Sequence, residues 1–170
     1  MVGQALLRCL RPSHELVAPS RAELDLENKD AVVETLRDAR PECVIHAAGK
    51  VGGIQANIDD PVGFLVHNLL ATVNVIQAAL QLGVERFVFL GSSCMYPKDL
   101  YRPIQEEDLL TAPLEPTNEG YALSKIVGTR LCCYVAEEGL PWITLVPCNL
   151  FGLHDHFDAR AKFFRQTSQR

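Results

Sequence analysis

Residues 43–48, Cys43-Val44-Ile45-His46-Ala47-Ala48, form an almost continuous apolar run, which predicts a β-strand covered on both faces. Two later runs have the same character, Arg86-Phe87-Val88-Phe89-Leu90 and Trp142-Ile143-Thr144-Leu145-Val146. Between the strands, apolar residues recur at helical spacing from Pro61 to Gly83 and from about residue 119 to 138. Strands that alternate with helices predict parallel β-α units, so we expect an α/β fold with a doubly wound parallel sheet.

The chain before residue 43 adds two helices and one strand by the same criteria. Residues 2–10 have the pattern of an amphipathic helix, 15–18 predict a short strand, and 27–40 predict a helix. A Gly-rich loop at 49–53 and a Pro-rich loop at about 96–117 separate later elements. The sequence contains no internal repeat and no recognisable linker, which predicts one domain or a piece of one.

The composition is that of an ordinary globular chain, with 170 residues, 48% hydrophobic, 22% charged and a formal net charge of −5. This acidic balance, without a basic cluster, argues against nucleic acid as a partner. We find no secretory signal and no uninterrupted apolar stretch of about 18 residues, so we expect no membrane span and a cytoplasmic location. The six cysteines form no C-x-x-C pair. We therefore expect no metal site and mostly buried, reduced thiols, Cys43 and Cys148 among them.

Polar side chains follow the predicted carboxyl ends of the strands, where parallel sheets bind ligands. They lie in Ala47-Ala48-Gly49, Ser92-Ser93-Cys94 and Pro147-Cys148-Asn149, and Tyr121 begins the helix between the last two. Lys125 follows Tyr121 by four residues, so both project from one helical face. The lysine would lower the tyrosine pKa from about 10 and let the phenol protonate a carbonyl oxygen held by a serine. This pattern is typical of a carbonyl reductase, although ordinary surface helices show the same spacing.

Together these segments resemble the extended short-chain dehydrogenase/reductase family, from residue 1 to about Phe157. Within it they are similar to the enzymes that act on 4-keto nucleotide sugars. The resemblance is carried by Ala48–Ile54 (AGKVGGI), Leu90–Lys98 (LGSSCMYPK), Leu114–Glu119 (LEPTNE) before Tyr121, and Asn149–Gly152 (NLFG) before His154. It implies a Rossmann-like, NADP-binding fold. It also implies 3,5-epimerisation and NADPH-dependent 4-reduction of GDP-4-keto-6-deoxy-mannose to GDP-L-fucose.

For epimerisation, the resemblance implies that Cys94 and His154 form the acid/base pair at C3 and C5. A thiol and an imidazole on opposite sides of the sugar suit this task, because a proton leaves one face and returns to the other. Each residue also has a structural alternative: Cys94 as a buried thiol and His154 as a loop histidine bonded to backbone groups. His156 lies two residues away and is the competing histidine.

For reduction, the resemblance implies that Tyr121 protonates the 4-keto oxygen while Ser92 hydrogen-bonds to it. Lys125 would lower the pKa of the phenol and bind the nicotinamide ribose, and Ser93 is the competitor for Ser92. In this reading Ser92, Tyr121 and Lys125 also contact the cofactor. Further cofactor contacts are implied for Gly3, Arg21 (on the 2′-phosphate), Ala47, Ala48, Lys50, Asn68, Pro147 and Asn149. Arg21 could equally be a solvated turn residue, and Asn68 a satisfied polar residue inside a packed helix.

The chain departs from the family at both ends. Of the G-x-x-G-x-x-G fingerprint only Gly3 matches, and the strand that should lie between those of Val17 and Val44 is missing. Residues 158–170 no longer follow the family. We therefore expect residues 1–157 to be a partial NADP-binding domain and 158–170 a divergent tail of a truncated relative.

Other functions stay open at this point. The chain could be another nucleotide-sugar epimerase or dehydratase, or a non-catalytic remnant that serves as a dimerisation module. In the family, dimers form through helices that correspond to 62–82 and 119–138, so we expect a homodimer.

Overall fold

The computed structural model describes residues 1–153, which form an α/β unit around a parallel sheet. Its helices are α1 Val2–Leu10, α2 Lys29–Ala39, α3 Ile54–Asp59, α4 Pro61–Gln81 and α5 Glu119–Glu137. Its strands are β1 Cys43–His46, β2 Arg86–Leu90 and β3 Trp142–Leu145. Three single turns of 3-10 helix, Ser93–Met95, Glu106–Asp108 and Pro116–Asn118, lie between β2 and α5.

The three strands pair in the order β1-β2-β3, and both pairs are parallel. Val44 stands opposite Phe87, which in turn stands opposite Trp142. The predicted parallel α/β architecture is therefore confirmed. This register brings the carboxyl ends of all three strands to one edge of the sheet.

One face of the sheet forms the core. Phe87 and Phe89 are fully buried, and the Phe87 ring stacks on Trp142 with centroids 4.7 Å apart. Helices α4 and α5 pack over this face and against each other. On the opposite face, Ile45 is 36% exposed and Ile143 is 49% exposed. The prediction that β1 is covered on both faces is thus wrong for residues 1–153, since the helices that bury apolar side chains lie on one side.

Helix α4 begins and ends where the sequence predicts. The Asp60 carboxylate accepts a hydrogen bond from the Gly63 N–H at 2.9 Å and caps the first turn. After the last turn, Gly83 takes the left-handed conformation at φ +70°. By length and composition α4 could also cross a membrane, but half of its most apolar window is buried in the protein, as in the core helix of a globular domain.

Small residues let α5 approach its neighbours closely. A Cβ atom added at Gly128 would lie 2.3 Å from Cζ of Phe89, and one at Gly120 would lie 2.8 Å from the backbone oxygen of Pro61. Such distances leave no room for a side chain at either position. This close packing brings the first turn of α5, which carries Tyr121, near the carboxyl end of β2.

The strand predicted at 15–18 does not form. These residues pair with no strand of the described chain, and Val17 is 64% exposed. A strand is stabilised by its hydrogen-bonded neighbours, and the extended preference of two aliphatic residues does not replace them. Helix α3 is an element that the sequence does not predict, since residues 54–59 form a helix directly after the Gly-rich loop.

The expectation that most cysteines are buried is also wrong. Cys132 is buried and Cys94 is half-buried, whereas the other four are exposed: Cys9, Cys43, Cys133 and Cys148. Cys43 begins β1 on the uncovered face of the sheet, and Cys148 follows the end of β3.

Candidate functional site

Three predicted site residues meet beside the carboxyl end of β2. Both Ser92 and Cys94 act on the Tyr121 phenol: hydrogen bonding by the Ser92 side chain lowers its pKa, and the charge of Cys94 raises it. Because Ser92 is the serine that acts on the phenol, the geometry favours Ser92 over Ser93 as the partner of Tyr121. The loop after β2 and the start of α5 therefore form one polar cluster.

Met95 anchors the loop that carries Ser92 and Cys94 by packing into the protein interior. Ser92 caps the 3-10 turn, with its Oγ accepting a hydrogen bond from the Cys94 N–H at 3.3 Å. Met95 is fully buried and packs in a small apolar cluster that includes Ala122 and Ile126 of α5. This packing fixes the position of the turn against α5, and it therefore sets the separation of Cys94 from Tyr121.

Burial, together with the thiolate charge of Cys94, raises the pKa of Tyr121 to about 12, and hydrogen bonding by Ser92 opposes both effects. The prediction that Lys125 lowers this pKa is therefore wrong for the protein alone. Lys125 lies over the tyrosine ring, with Nζ 5.7 Å from the ring centroid. With a pKa of about 8, the Lys125 amine has lost its proton before the phenol ionises, so it does not lower the pKa of Tyr121.

The Lys125 ammonium is 5% exposed and donates a hydrogen bond to the backbone oxygen of Leu90 at 2.9 Å. Burial lowers its pKa to about 8. This bond uses one of three N–H donors, so two are available for a ligand. Gly49 lies beside the ammonium, since a Cβ atom at this position would be 4.0 Å from Nζ. Such a donor pair fits the hydroxyl groups of a cofactor ribose.

The loop after β1 is held by Asn68 of α4. The Asn68 Oδ1 accepts from the Lys50 N–H at 2.7 Å, and its Nδ2 donates to the carbonyls of Lys50 at 3.0 Å and Phe64 at 2.7 Å. The side chain is 2% exposed, and both of its polar atoms are bonded to protein. This geometry favours the alternative in which Asn68 is a satisfied structural residue.

Lys50, expected to contact the cofactor, forms an ion pair with Asp60 across 2.5 Å. The hydrogen bond from Lys50, together with that from the Gly63 N–H, lowers the pKa of the Asp60 carboxyl. The ammonium of Lys50 therefore ties the loop to the start of α4.

The structure does not join the other predicted cofactor residues to this cluster. Gly3 lies in the first turn of α1, where a Cβ would meet nothing within 4 Å, and Arg21 is exposed in a turn. At the strand ends, Ala47 and Pro147 are half-buried, while Ala48 and Asn149 are exposed. His154, its competitor His156 and the tail 158–170 lie outside the described residues.

A cleft opens in front of Tyr121, between α3 and the first turn of α5. Two asparagines in its wall, Asn57 and Asn118, have buried side-chain oxygens without a hydrogen-bond partner. The Asn118 Nδ2 donates to the Cys94 Sγ at 3.3 Å. Sequence reasoning missed both residues: Asn118 precedes a helix, where an asparagine is normally interpreted as a cap, and Asn57 lies in α3, which the sequence did not predict. Among residues 1–153, no group of His, Cys, Asp or Glu side chains is arranged to bind a metal ion.

Comparison with known proteins places these residues in context. The model of the NAD dependent epimerase/dehydratase family matches residues 1–168. The GDP-L-fucose synthase of Sinorhizobium fredii is 47% identical, over 93% of this chain and 51% of that protein. The GDP-L-colitose synthase of Yersinia pseudotuberculosis is 45% identical, over 93% of this chain and 52% of that protein. The chain thus spans about half the length of the curated relatives it matches.

Solved structures of enzymes from the same group also superpose on this chain. The GDP-L-fucose synthetase of Naegleria fowleri bound to NADP superposes with a TM-score of 0.82 at 29% identity, covering 94% of this chain and 54% of that one. A GDP-D-glycero-L-gluco-heptose synthase of Campylobacter jejuni, in the presence of NADPH, gives 0.86 at 34% identity, covering 94% of this chain and 47% of that one. The described fold is therefore the Rossmann-like fold of these proteins.

Proposed function

The chain belongs to the NAD-dependent epimerase/dehydratase family. From this premise we propose that it forms the cofactor-binding part of an NADP-dependent nucleotide-sugar epimerase/reductase. The proposed reaction is the conversion of GDP-4-keto-6-deoxy-mannose to GDP-L-fucose. The observation that carries the proposal is that Ser92 and Cys94, in the turn after β2, both act on the Tyr121 phenol at the start of α5. It supplies a proton donor, an oxygen-binding hydroxyl and a second acid/base group within one cluster.

In the reduction, Tyr121 protonates the 4-keto oxygen of the sugar. With a pKa of about 12, the phenol is fully protonated at neutral pH and so carries the proton the reaction requires. The Ser92 hydroxyl hydrogen-bonds to the same oxygen and orients the ketone toward the phenol. NADPH, when bound, supplies the hydride that C4 accepts.

In the epimerisation, Cys94 exchanges the protons on C3 and C5, which the adjacent ketone makes acidic. Its sulfur lies close to Tyr121, so a ketone held by Ser92 and Tyr121 presents the neighbouring carbons to the thiol. Proton return on the opposite face needs a second group, and His154 is the residue we propose for it.

The buried Lys125 supports the choice of cofactor, because its spare donors fit the nicotinamide ribose. We propose that Gly3 at the start of α1 approaches the pyrophosphate, since a helix N-terminus favours anions. Arg21 is proposed for the 2′-phosphate, and the remaining contacts for the residues after β1 and β3: Ala47, Ala48, Lys50, Pro147 and Asn149. Asn68 would act indirectly, by holding the Lys50 backbone. The reaction requires no membrane or nucleic acid, and we propose that it takes place in the cytoplasm.

A second copy of the chain is the proposed protein partner. The outward faces of α4 and α5 carry apolar residues 37% to 70% exposed, at positions 62, 66, 70, 80, 123, 127 and 134. Val62, Val66 and Leu70 recur every four residues and so form one stripe on α4. Covering this stripe with the same stripe of a second copy would produce a four-helix interface.

A specific observation favours one second candidate, the same chemistry on a different GDP-sugar. The GDP-L-colitose synthase matches this chain at 45% identity, close to the 47% of a GDP-L-fucose synthase. The polar cluster described here acts on a ketone and its neighbouring carbons. It does not distinguish between GDP-sugars that differ elsewhere in the sugar.

A chimaera tests the proposal, with residues 2–153 replacing the matching segment of the Sinorhizobium fredii enzyme. We expect it to oxidise NADPH with GDP-4-keto-6-deoxy-mannose and to form GDP-L-fucose. Tyr121→Phe in the chimaera should lower kcat by about 100-fold or more, because the proton donor is lost. A folded chimaera that binds NADPH but turns over only a different GDP-keto-sugar would establish the second candidate. One that turns over neither would contradict both.

A further inference from the structure

We propose that Asn118 is a positioning residue for Cys94: the side-chain amide of Asn118 holds the sulfur beside the start of α5 and stabilises its proton-accepting form. The proposal deepens the proposed function, because it concerns the thiol to which we assign epimerisation. It rests on one contact, on a helix cap that is not made, and on a buried side-chain oxygen that has no hydrogen-bond partner.

The contact joins the Asn118 Nδ2 to the Cys94 Sγ across 3.3 Å. An amide N–H donor at this distance stabilises a negatively charged sulfur more than a neutral thiol. Asn118 also stands at the start of α5, and the N-terminal end of a helix favours negative charge. Both effects act in the direction that a general base needs.

Asn118 stands at the N-cap of α5, but its side chain does not cap the helix. An asparagine at the N-cap, the residue just before a helix, normally accepts through its side-chain oxygen a hydrogen bond from a backbone N–H two or three residues later. Asn28 does so at the start of α2, where its Oδ1 accepts from the Ala31 N–H at 3.2 Å. At the start of α5 the Asn118 side chain makes no such bond. Its amide faces Cys94 instead, and breaking a local rule without local gain is typical of a functional site.

The other half of the amide has no hydrogen-bond partner. The Asn118 Oδ1 is buried and unpaired, and Asn118 lines the cleft together with Tyr121. An amide can donate to a thiolate through its nitrogen and accept from a thiol through its oxygen. Asn118 therefore suits a sulfur that alternates between the two forms during proton exchange.

The turn that carries Asn118 is itself rigid, as positioning requires. The Asn118 N–H donates to the Glu115 carbonyl at 3.2 Å. The Glu115 carboxylate accepts from both the N–H and the hydroxyl of Thr117, at 3.2 Å and 3.1 Å. Thr117→Val removes one of these bonds and leaves the Asn118 amide in place, which makes it a matched control.

The test measures the alkylation of Cys94 in the full 170-residue chain by iodoacetamide, resolved by peptide mass spectrometry across a range of pH. We expect Asn118→Ala to slow the alkylation of Cys94 at neutral pH by about three- to ten-fold and to move its pH profile upward. Asn118→Asp should move the profile further upward, because a carboxylate repels the thiolate. Thr117→Val should leave the profile unchanged.

A Cys94 profile that is identical in wild type, Asn118→Ala and Asn118→Asp would overturn the proposal. The alkylation rate of the buried Cys132 reports whether each variant is folded, and Asn118→Asp decides the matter if the alanine variant unfolds, because aspartate also suits a helix start. The measurement requires neither sugar nor cofactor. An inactive chimaera would therefore count against the proposed function and leave the result for Asn118 standing.

Discussion

The Nζ atom of Lys125 lies 2.9 Å from the backbone oxygen of Leu90, so the ammonium is anchored to the carboxyl end of β2. This anchor holds the charge over the rings of Phe89 and Tyr121, 4.9 Å and 5.7 Å from their centroids. The cation is therefore part of the packed core beneath the site. Its burial has a measurable consequence for stability.

We expect the free energy of unfolding to rise with pH between about 8 and about 10, and Lys125→Met to abolish this rise. Burial lowers the pKa of Lys125 from its ordinary value of 10.5 to about 8. Between these values the unfolded chain binds the proton and the folded chain does not, so folding is favoured as pH rises. The full effect is of the order of 2 kcal/mol after discounting for residual hydration.

Urea unfolding of wild type and Lys125→Met at several pH values checks this expectation. The exposed Lys29→Met is the matched control, because it removes a lysine without changing the core. Parallel pH curves for wild type and Lys125→Met would show that the buried ammonium keeps its proton throughout.

Tyr121 is expected to stay protonated at a pH of about 10.5, where an unperturbed phenol is mostly ionised. Burial and the charge of Cys94 raise its pKa to about 12. Its Cζ resonance in tyrosine-labelled protein, assigned by comparison with Tyr121→Phe, reports the ionisation. Cys94→Ala should lower the pKa of Tyr121, and Ser92→Ala should raise it, because the two residues act in opposite directions. A Tyr121 pKa below 10 would restore the expectation from the Tyr/Lys spacing.

The sequence predicted those parts of the fold that depend on local pattern. Asp60 and Pro61 begin α4 because the carboxylate caps the first turn and proline lacks the N–H that would go unpaired there. Gly83 ends the helix because it takes a left-handed conformation without strain. The apolar run at 86–90 became the central strand because every second side chain packs under the helices.

What the sequence could not predict depends on neighbours distant in the chain. Leu16 and Val17 favour extended structure, but a strand needs a partner, and the described residues provide none at that place. The Asn118 side chain can either cap α5 or hydrogen-bond to the sulfur of Cys94, 24 positions earlier, and the second occurs because the fold brings the two residues together. The pKa of Tyr121 depends on burial, which the four-residue spacing to Lys125 does not reveal.

Gly128→Ala should destabilise the protein by about 1 to 3 kcal/mol, although alanine is the better helix former. The added methyl group would lie 2.3 Å from Cζ of Phe89 and 2.8 Å from Cγ2 of Thr72. Gly3→Ala is the matched control, because a Cβ there meets nothing within 4 Å, and it should stabilise α1 slightly. Chemical denaturation measures both. Phe89→Leu in the Gly128→Ala background should recover part of the loss, and no recovery would contradict the proposed clash.

Leu70→Glu should convert a dimer of this chain into a monomer without loss of secondary structure. Leu70 is 40% exposed on the outer face of α4, one turn after Val66, which is 44% exposed. In a two-fold interface the substitution occurs on both subunits, so two carboxylates would be buried in apolar surroundings. Sedimentation equilibrium measures the mass, and circular dichroism measures the helix content. Ile104→Glu is the control, because Ile104 is 49% exposed but lies in the Pro-rich loop, away from α4 and α5. If wild type is monomeric at every concentration, or if Leu70→Glu and Ile104→Glu dissociate the dimer equally, the outer face of α4 is not the interface.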